Sequence, residues 1–342
     1  MTPIGWSALR VLGFAAVLGG LVAGSTQLPS RLELTSIAPV VPADVLSPPS
    51  TPASQMTLGC PGPETDGFSG LPAVPGEATS ILAATAPSEA MQGIATAPAP
   101  GAVAVRSSAS AASDPALATS ATRGGVVSGD VSGAAAGEVS ATGSLAVGLA
   151  ALQTGLRREG DERGLQSVAC QAPRSEVWLL AGGGAPTRRE RLVVANAGAN
   201  PVTVDIQVHG ASGPIASVNG ARVAVPPHGR VGVLIDAIAP GEASPVVHVT
   251  ATGGLITAVL EDSWIDGATG RGRDDVGPAD GPATEQVIPA AYLTGVATLR
   301  IVVPGADEAV VQSRALSPNG AVPLPADQVV RIPGGSVRDI RS

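Results

Sequence analysis

The chain has 342 residues, a net charge of −8 and a hydrophobic fraction of 44%. That length accommodates two or three domains, and the acidic balance argues against nucleic acid, whose phosphates need a basic face, and against an electrostatic grip on anionic lipid. Aromatic residues make up only 2% (Trp6, Phe14, Phe68, Trp178, Trp264, Tyr292), so large core anchors are scarce, and all 20 basic residues are arginine, a bias of GC-rich coding rather than of function.

In chain order, the first element is apolar. Arg10 is the only charge before Arg31, and VLGFAAVLGGLVA, followed by the small residues Gly24 and Ser25, has the length of a signal-peptide core. Extended to Val11–Leu28 it reaches about 18 residues, the lower edge for a spanning helix, with arginine on the flank that stays inside. Residues 1–28 are therefore expected to be a signal peptide or a signal-anchor helix, the one membrane contact of the chain. No cysteine follows the run, which argues against a lipoprotein anchor.

Residues 29–57, with Pro39, Pro42, Pro48, Pro49 and Pro52 among Ser, Thr and Ala, read as a disordered linker. Residues 58–170 are dominated by Ala, Gly, Ser and Thr. Runs such as TSILAAT, GAVAVRS and GGVVSGDVSG place β-branched residues between turn signals, so the region is expected to be a weakly packed β-rich domain. Disorder is the alternative, and a short helix around Leu145–Leu152 is a local one.

Residues 171–265 are more legible. EVWLLAG, RERLVVANAG, VTVDIQVHG, ARVAVPP, GRVGVLIDA, VVHVTATG and LITAVLEDSW are seven strand candidates separated by Gly, Pro, Asn and Ser. Val202, Val204, Ile206 and Val208 share one face and Thr203, Asp205, Gln207 and His209 the other, the period of a half-buried strand. Seven such strands predict a mainly β fold built on an immunoglobulin-like antiparallel β-sandwich. Residues 266–289 read as an acidic Gly/Pro linker. Residues 290–342 read as a partial second sandwich, either truncated, which is the expectation, or completed against the first.

The succession CPGPET, GLQSVACQAP, EVWLLAGGG, RLVVANAGANPVTVDIQVHGASGP, VAVPPHG and VIPAAY resembles a family of exported proteins of high-GC Gram-positive bacteria, a domain of unknown function. The resemblance spans roughly residues 58–341 and is most specific at the CPGP and AC-x-x-P landmarks. It implies an N-terminal membrane segment, β-rich extracytoplasmic domains and no established activity, and it supplies no catalytic residues.

Export gives the only two cysteines a meaning. Cys60 and Cys170 are expected to pair in a compartment that permits disulfides, the alternative being two buried thiols. Other chemistry is sparse. His209, His228 and His248 lie one per strand or turn without metal-ligand spacing, and GFSGL around Ser69 lacks the nucleophile-elbow pattern. Gly182–Gly184 follow a strand without a helix or P-loop lysine after them, so a tight turn is expected there. The one metal candidate is calcium at Asp262, Asp266, Asp274 and Asp275, with Glu261 and Asp280 near; a solvated acidic loop is the plainer reading. Trp178 and Trp264 are expected as core anchors, a carbohydrate platform with Tyr292 being the alternative. No cofactor is expected. These readings point to a non-catalytic cell-envelope protein that binds an envelope protein, or to a glycan-binding accessory module of surface-polysaccharide assembly.

Overall fold

Small and β-branched residues alternating between turn glycines produce strand after strand: 52% of the described residues are strand and 4% helical, the helical part in short turns. The computed structural model describes residues 51–63, 68, 77–110, 113–180, 182–289, 297–317, 320–323 and 329–341. The apolar segment expected at 1–28, Ser69 and Tyr292 lie outside them. No helix among the described residues is long and apolar enough to cross a membrane.

The first eight strands are β1 (Gln55–Cys60), β2 (Ala78–Thr85), β3 (Val103–Ser107), β4 (Ala118–Ser120), β5 (Val126–Asp130), β6 (Gly137–Thr142), β7 (Leu149–Arg157) and β8 (Gly164–Ala169). They form two antiparallel sheets, ordered β1-β6-β3-β4 and β5-β2-β7-β8. Between them lies a shared core of small side chains, with Leu58, Ile81, Val103, Val105 and Val139 at its centre. The short helix considered at Leu145–Leu152 is instead a single 3-10 turn, Gly143–Leu145, leading into β7. β1 also begins inside the stretch expected as linker up to residue 57.

Nine strands follow: β9 (Glu176–Leu180), β10 (Arg188–Asn196), β11 (Val202–Gly210), β12 (Gly213–Ile215), β13 (Val223–Val225), β14 (Gly229–Leu234), β15 (Val246–Thr252), β16 (Thr257–Asp266) and β17 (Thr269–Val276). They make a sheet ordered β14-β10-β16-β17 and another ordered β12-β11-β15-β9, with β13 also paired to β11. Leu192, Val194, Ala258 and Leu260 from the first meet Val204, Ile206, Val208, Val247 and Val249 from the second. The alternation in VTVDIQVHG places Val202, Val204, Ile206 and Val208 inside; His209 is buried as well, because the C-terminal residues cover that side.

The immunoglobulin-like sandwich expected for residues 171–265 is not what forms. Among the seven strands expected there, that fold pairs the first with the second and the last with the one before it. Here β16 pairs with β10 and β17, not with β15, and β9 joins the sheet of β11 and β15. The sheets are arranged as a propeller. Successive sheets lie against one another: Val168 of β8 meets Val193 and Val259 of the third sheet, with Phe68 beside them. Burial on both faces explains why RLVVAN and ITAVL run apolar without alternating, a pattern of central strands. Residues 269–276, inside the expected acidic linker, are β17, the edge strand of that sheet.

The last strands are β18 (Thr298–Val302), β19 (Ala309–Val311), β20 (Arg314–Ser317), β21 (Gly320–Pro323), β22 (Val330–Ile332) and β23 (Val337–Arg341), paired β18-β23, β19-β22 and β20-β21. Val302 and Val337 pack on Trp178, Leu180 and Val246.

Candidate functional site

The most elaborate side-chain assembly surrounds the CPGP turn. Cys60 at the end of β1 is disulfide-bonded to Cys170 just after β8, 110 residues along the chain, and both are buried. Gly62 sits at φ 82°, a backbone conformation that favours glycine. The buried Gln153 amide on β7 grips it from both sides: Gly62 N–H donates to Gln153 Oε1 at 2.8 Å, and Gln153 Nε2 donates to Gly62 O at 2.9 Å. From β14, Arg230 donates to Pro61 O (3.1 Å), to Pro63 O, to Gly133 O (3.1 Å) and to Ala134 O (3.2 Å). Its guanidinium lies 4.4 Å from the centre of the Phe68 ring. One turn thus ties three sheets together.

A second assembly is a seam of charges between the second and third sheets. Arg157 pairs with Glu162, Arg273 with Glu77 (3.2 Å) and Arg191 with Glu261 (3.2 Å); on the opposite face of the third sheet, Arg188 holds Asp262 through two nitrogens, Nε to Oδ1 at 2.7 Å. Burial pushes Glu261 well above the usual carboxylate range, with Asp275 nearby adding to it and Arg191 and Arg230 opposing it. Burial likewise raises Asp275 to about 6 and pulls Arg273 down to about 10.

Where the acidic residues fall follows from strand geometry. Neighbours on a strand point to opposite faces, so Glu261 shares a face with Asp275 and Asp262 with Asp274. Asp262 is taken by Arg188, Asp266 by Arg271 at 2.5 Å, and Asp275 by the Gln166 amide at 3.1 Å, while Asp274 accepts the N–H of Asp275. Asp280 is exposed. Of the calcium candidates only the cross-strand pair Asp262 and Asp274 is brought together, and among the described residues no three His, Cys, Asp or Glu side chains converge as a metal set.

Gly182–Gly184 do more than turn the chain. Glu190 of β10 is buried and accepts the Gly183 N–H, and a methyl group at Gly182 (φ 76°) would overlap that carboxylate. Gly184 donates to Glu242 O at 2.6 Å, with no room for a side chain against residues 241–242. Burial raises Glu190 to about 7 against the opposing Gly183 hydrogen bond.

The aromatic residues divide. Trp178 is buried, stacked on His248 at 3.8 Å and 8°, with His209 tilted against it at 5.5 Å. Glu176 accepts from Trp178 Nε1 (3.0 Å) and faces His248 Nε2 (2.9 Å); His209 Nδ1 lies 2.8 Å from Gly335 O. The three histidines, read singly from sequence, thus include a pair that shares one tryptophan. His228 is in a turn at φ 51°. Trp264, expected in a core, is 41% exposed, with the Arg188 guanidinium 4.9 Å from its ring. The cleft lined by Arg189, Arg191, Glu261, Asp262, Ser263 and Arg273 offers about 10 Å³, against about 300–1,000 Å³ for typical small-molecule sites. Its arginines and carboxylates neutralise one another. That arrangement can hold two sheets together.

Arg230 and Gln153 were invisible to motif reading because their partners lie 167 and 91 residues away. No curated protein and no solved structure matches the chain. The profile of a family of unknown function, DUF5719, matches residues 126–341, from β5 to the last described strand. The chain belongs to the DUF5719 family.

Proposed function

We propose that the chain is an exported, non-catalytic module of the cell envelope that binds another envelope component, with its N-terminal apolar segment acting as signal peptide or anchor. The observation that carries the reading is the Cys60–Cys170 bridge at the centre of the CPGP assembly. Such a bond persists in oxidising compartments and is reduced in the cytosol of most organisms. The buried charges support a scaffold role, since they are spent on one another across the seam rather than on a nucleophile. Protease treatment of intact cells tests the reading: the chain is degraded from outside, and a serine-hydrolase probe leaves it unlabelled. Protection from external protease or labelling by the probe rejects it.

A glycan-binding role is the second reading. Its support is Trp264, exposed beside Arg188 on the third sheet. A glycan array separates the two: binding that Trp264→Ala abolishes favours the glycan.

A further inference from the structure

The outer edge of β11 is covered in two pieces, by β13 along Val202–Val204 and by β12 along Val208–Gly210. The turn that joins β12 to β13 serves the stretch between them. Asp205 Oδ1 accepts the Arg222 N–H at 2.8 Å, Gln207 Nε2 donates to Ile215 O at 2.9 Å, and the Ile206 N–H donates to Gly220 O at 2.7 Å. Gly220 lies so close to Ile206 O that no side chain fits there, which makes glycine obligatory at that position. The residue before it, Asn219, is exposed.

An asparagine followed by glycine can react with its own backbone, and the turn leaves both reacting groups available. The Gly220 N–H donates to no group among the described residues, and no side chain on Gly220 hinders its approach to the Asn219 amide. That amide donates to Ala237 O at 2.6 Å, a bond at an exposed residue that water can replace. The other asparagines differ. Asn196 is buried and its amide donates to Asn200 O and Pro226 O. Asn200 precedes Pro201, whose nitrogen carries no hydrogen, and Asn319 lies outside the described residues.

We propose that Asn219 is a self-modification site that converts to aspartate and isoaspartate and thereby loosens the outer edge of β11. The Gly220 nitrogen gives its proton to hydroxide and attacks Asn219 Cγ. The new C–N bond closes a cyclic imide as the Cγ–Nδ2 bond breaks and ammonia leaves with a proton from water. Water then opens the ring at either carbonyl. Opening at Cγ gives aspartate, and opening at the main-chain carbonyl gives isoaspartate. Isoaspartate reroutes the main chain through Cβ and Cγ, lengthens it ahead of Gly220 and draws the Gly220 carbonyl off the buried Ile206 N–H. Either product sets a carboxylate against Ala237 O where an amide donor stood. The inference goes beyond the envelope reading and holds whether or not the chain is exported.

Incubation of the purified full chain at mildly alkaline pH, followed by tryptic mapping with mass spectrometry, tests it. Trypsin places Asn219 in the peptide Leu192–Arg222 and Asn319 in Ala315–Arg331, so the two Asn-Gly pairs are read separately. Progressive conversion of Asn219, mostly to isoaspartate, is expected, with Asn196 and Asn200 unchanged in the same peptide. Asn219→Gln, whose longer side chain closes the ring far more slowly, is expected to stay unconverted at that position. The isoaspartate form, separated by its added negative charge, is expected to melt about 3–6 °C below the unconverted chain, because the Ile206 N–H has lost its acceptor. An intact Asn219 in the folded chain, while the urea-unfolded chain converts, overturns the proposal. Conversion whose rate rises in proportion to the unfolded fraction at low urea also overturns it, since the unfolded chain is then the reactant. Conversion with an unchanged Tm overturns the loosening of β11.

Discussion

Replacing Arg230 by alanine tests the architecture at its most connected point. The substitution removes the donors to Pro61 O, Pro63 O, Gly133 O and Ala134 O and the cation over Phe68. The two prolyl carbonyls are deeply buried, and each stranded acceptor costs about 1–2 kcal/mol, while a desolvated cation–π contact adds about 1. Arg230 also helps hold down the Glu261 carboxyl, so its loss exposes the cost of that buried charge. The expected destabilisation is about 3–5 kcal/mol, equivalent to a fall in Tm of roughly 10 °C for a chain of this size. Urea unfolding followed by circular dichroism at pH 7 measures it, with Arg230→Lys losing about half as much because an ammonium lacks the planar fork. Combined with Gln153→Ala, which releases the same turn, the two losses are expected to be non-additive by at least about 0.5 kcal/mol. A loss below about 1 kcal/mol for Arg230→Ala, or strict additivity with Gln153→Ala, refutes the idea that the CPGP turn holds the sheets together.

Replacing both Cys60 and Cys170 by alanine opens a closure of 110 residues, for which the chain-entropy model gives about 4–5 kcal/mol; an unchanged urea midpoint contradicts it. Gly182→Ala places a methyl group in the Glu190 carboxylate at a left-handed backbone position and is expected to cost at least about 2 kcal/mol, whereas Gly281→Ala, with open space around it, is neutral within about 0.5; equal melting temperatures for the two refute the assignment. Glu190 and Asp275 titrate in the folded chain at about 7 and about 6, above their ordinary 4.5 and 3.8, so the folded state binds these protons more tightly than the unfolded one. Their contribution to stability is therefore full below about pH 4 and is lost as pH rises through about 6–7, while His248, held low by burial, works the other way as pH falls. Glu190→Gln keeps an acceptor for Gly183, and it is expected to flatten the stability curve between pH 5 and 8 and to gain on wild type at pH 8; parallel curves contradict that assignment.

Strands were legible wherever one face meets water. VTVDIQVHG alternates because β11 covers a single core, and its register follows directly. The arrangement of sheets was not legible in the same way. RLVVAN and ITAVL run apolar because β10 and β16 are packed on both sides, a sign of a central sheet that was available but outweighed by the count of seven strands. TGRGRDDV read as a linker because glycine and aspartate are poor strand formers, yet pairing with β16 and burial of Arg273 against Glu77 hold it as an edge strand. Of the candidate site, the cysteine pair was readable from number and compartment alone. Arg230, Gln153 and Glu190 were not, since isolated polar residues in strands read as surface until the long-range contacts that bury them are known.

The central claim, an exported module closed by a buried disulfide, is tested most directly by trapping thiols in living cells. Cells expressing the chain are acid-quenched, denatured and treated with a maleimide-polyethylene glycol, then compared with a sample reduced first. The account predicts no mass shift without reductant and two adducts, at Cys60 and Cys170, after reduction. Two adducts on the unreduced chain would place both thiols in a reducing compartment and contradict it.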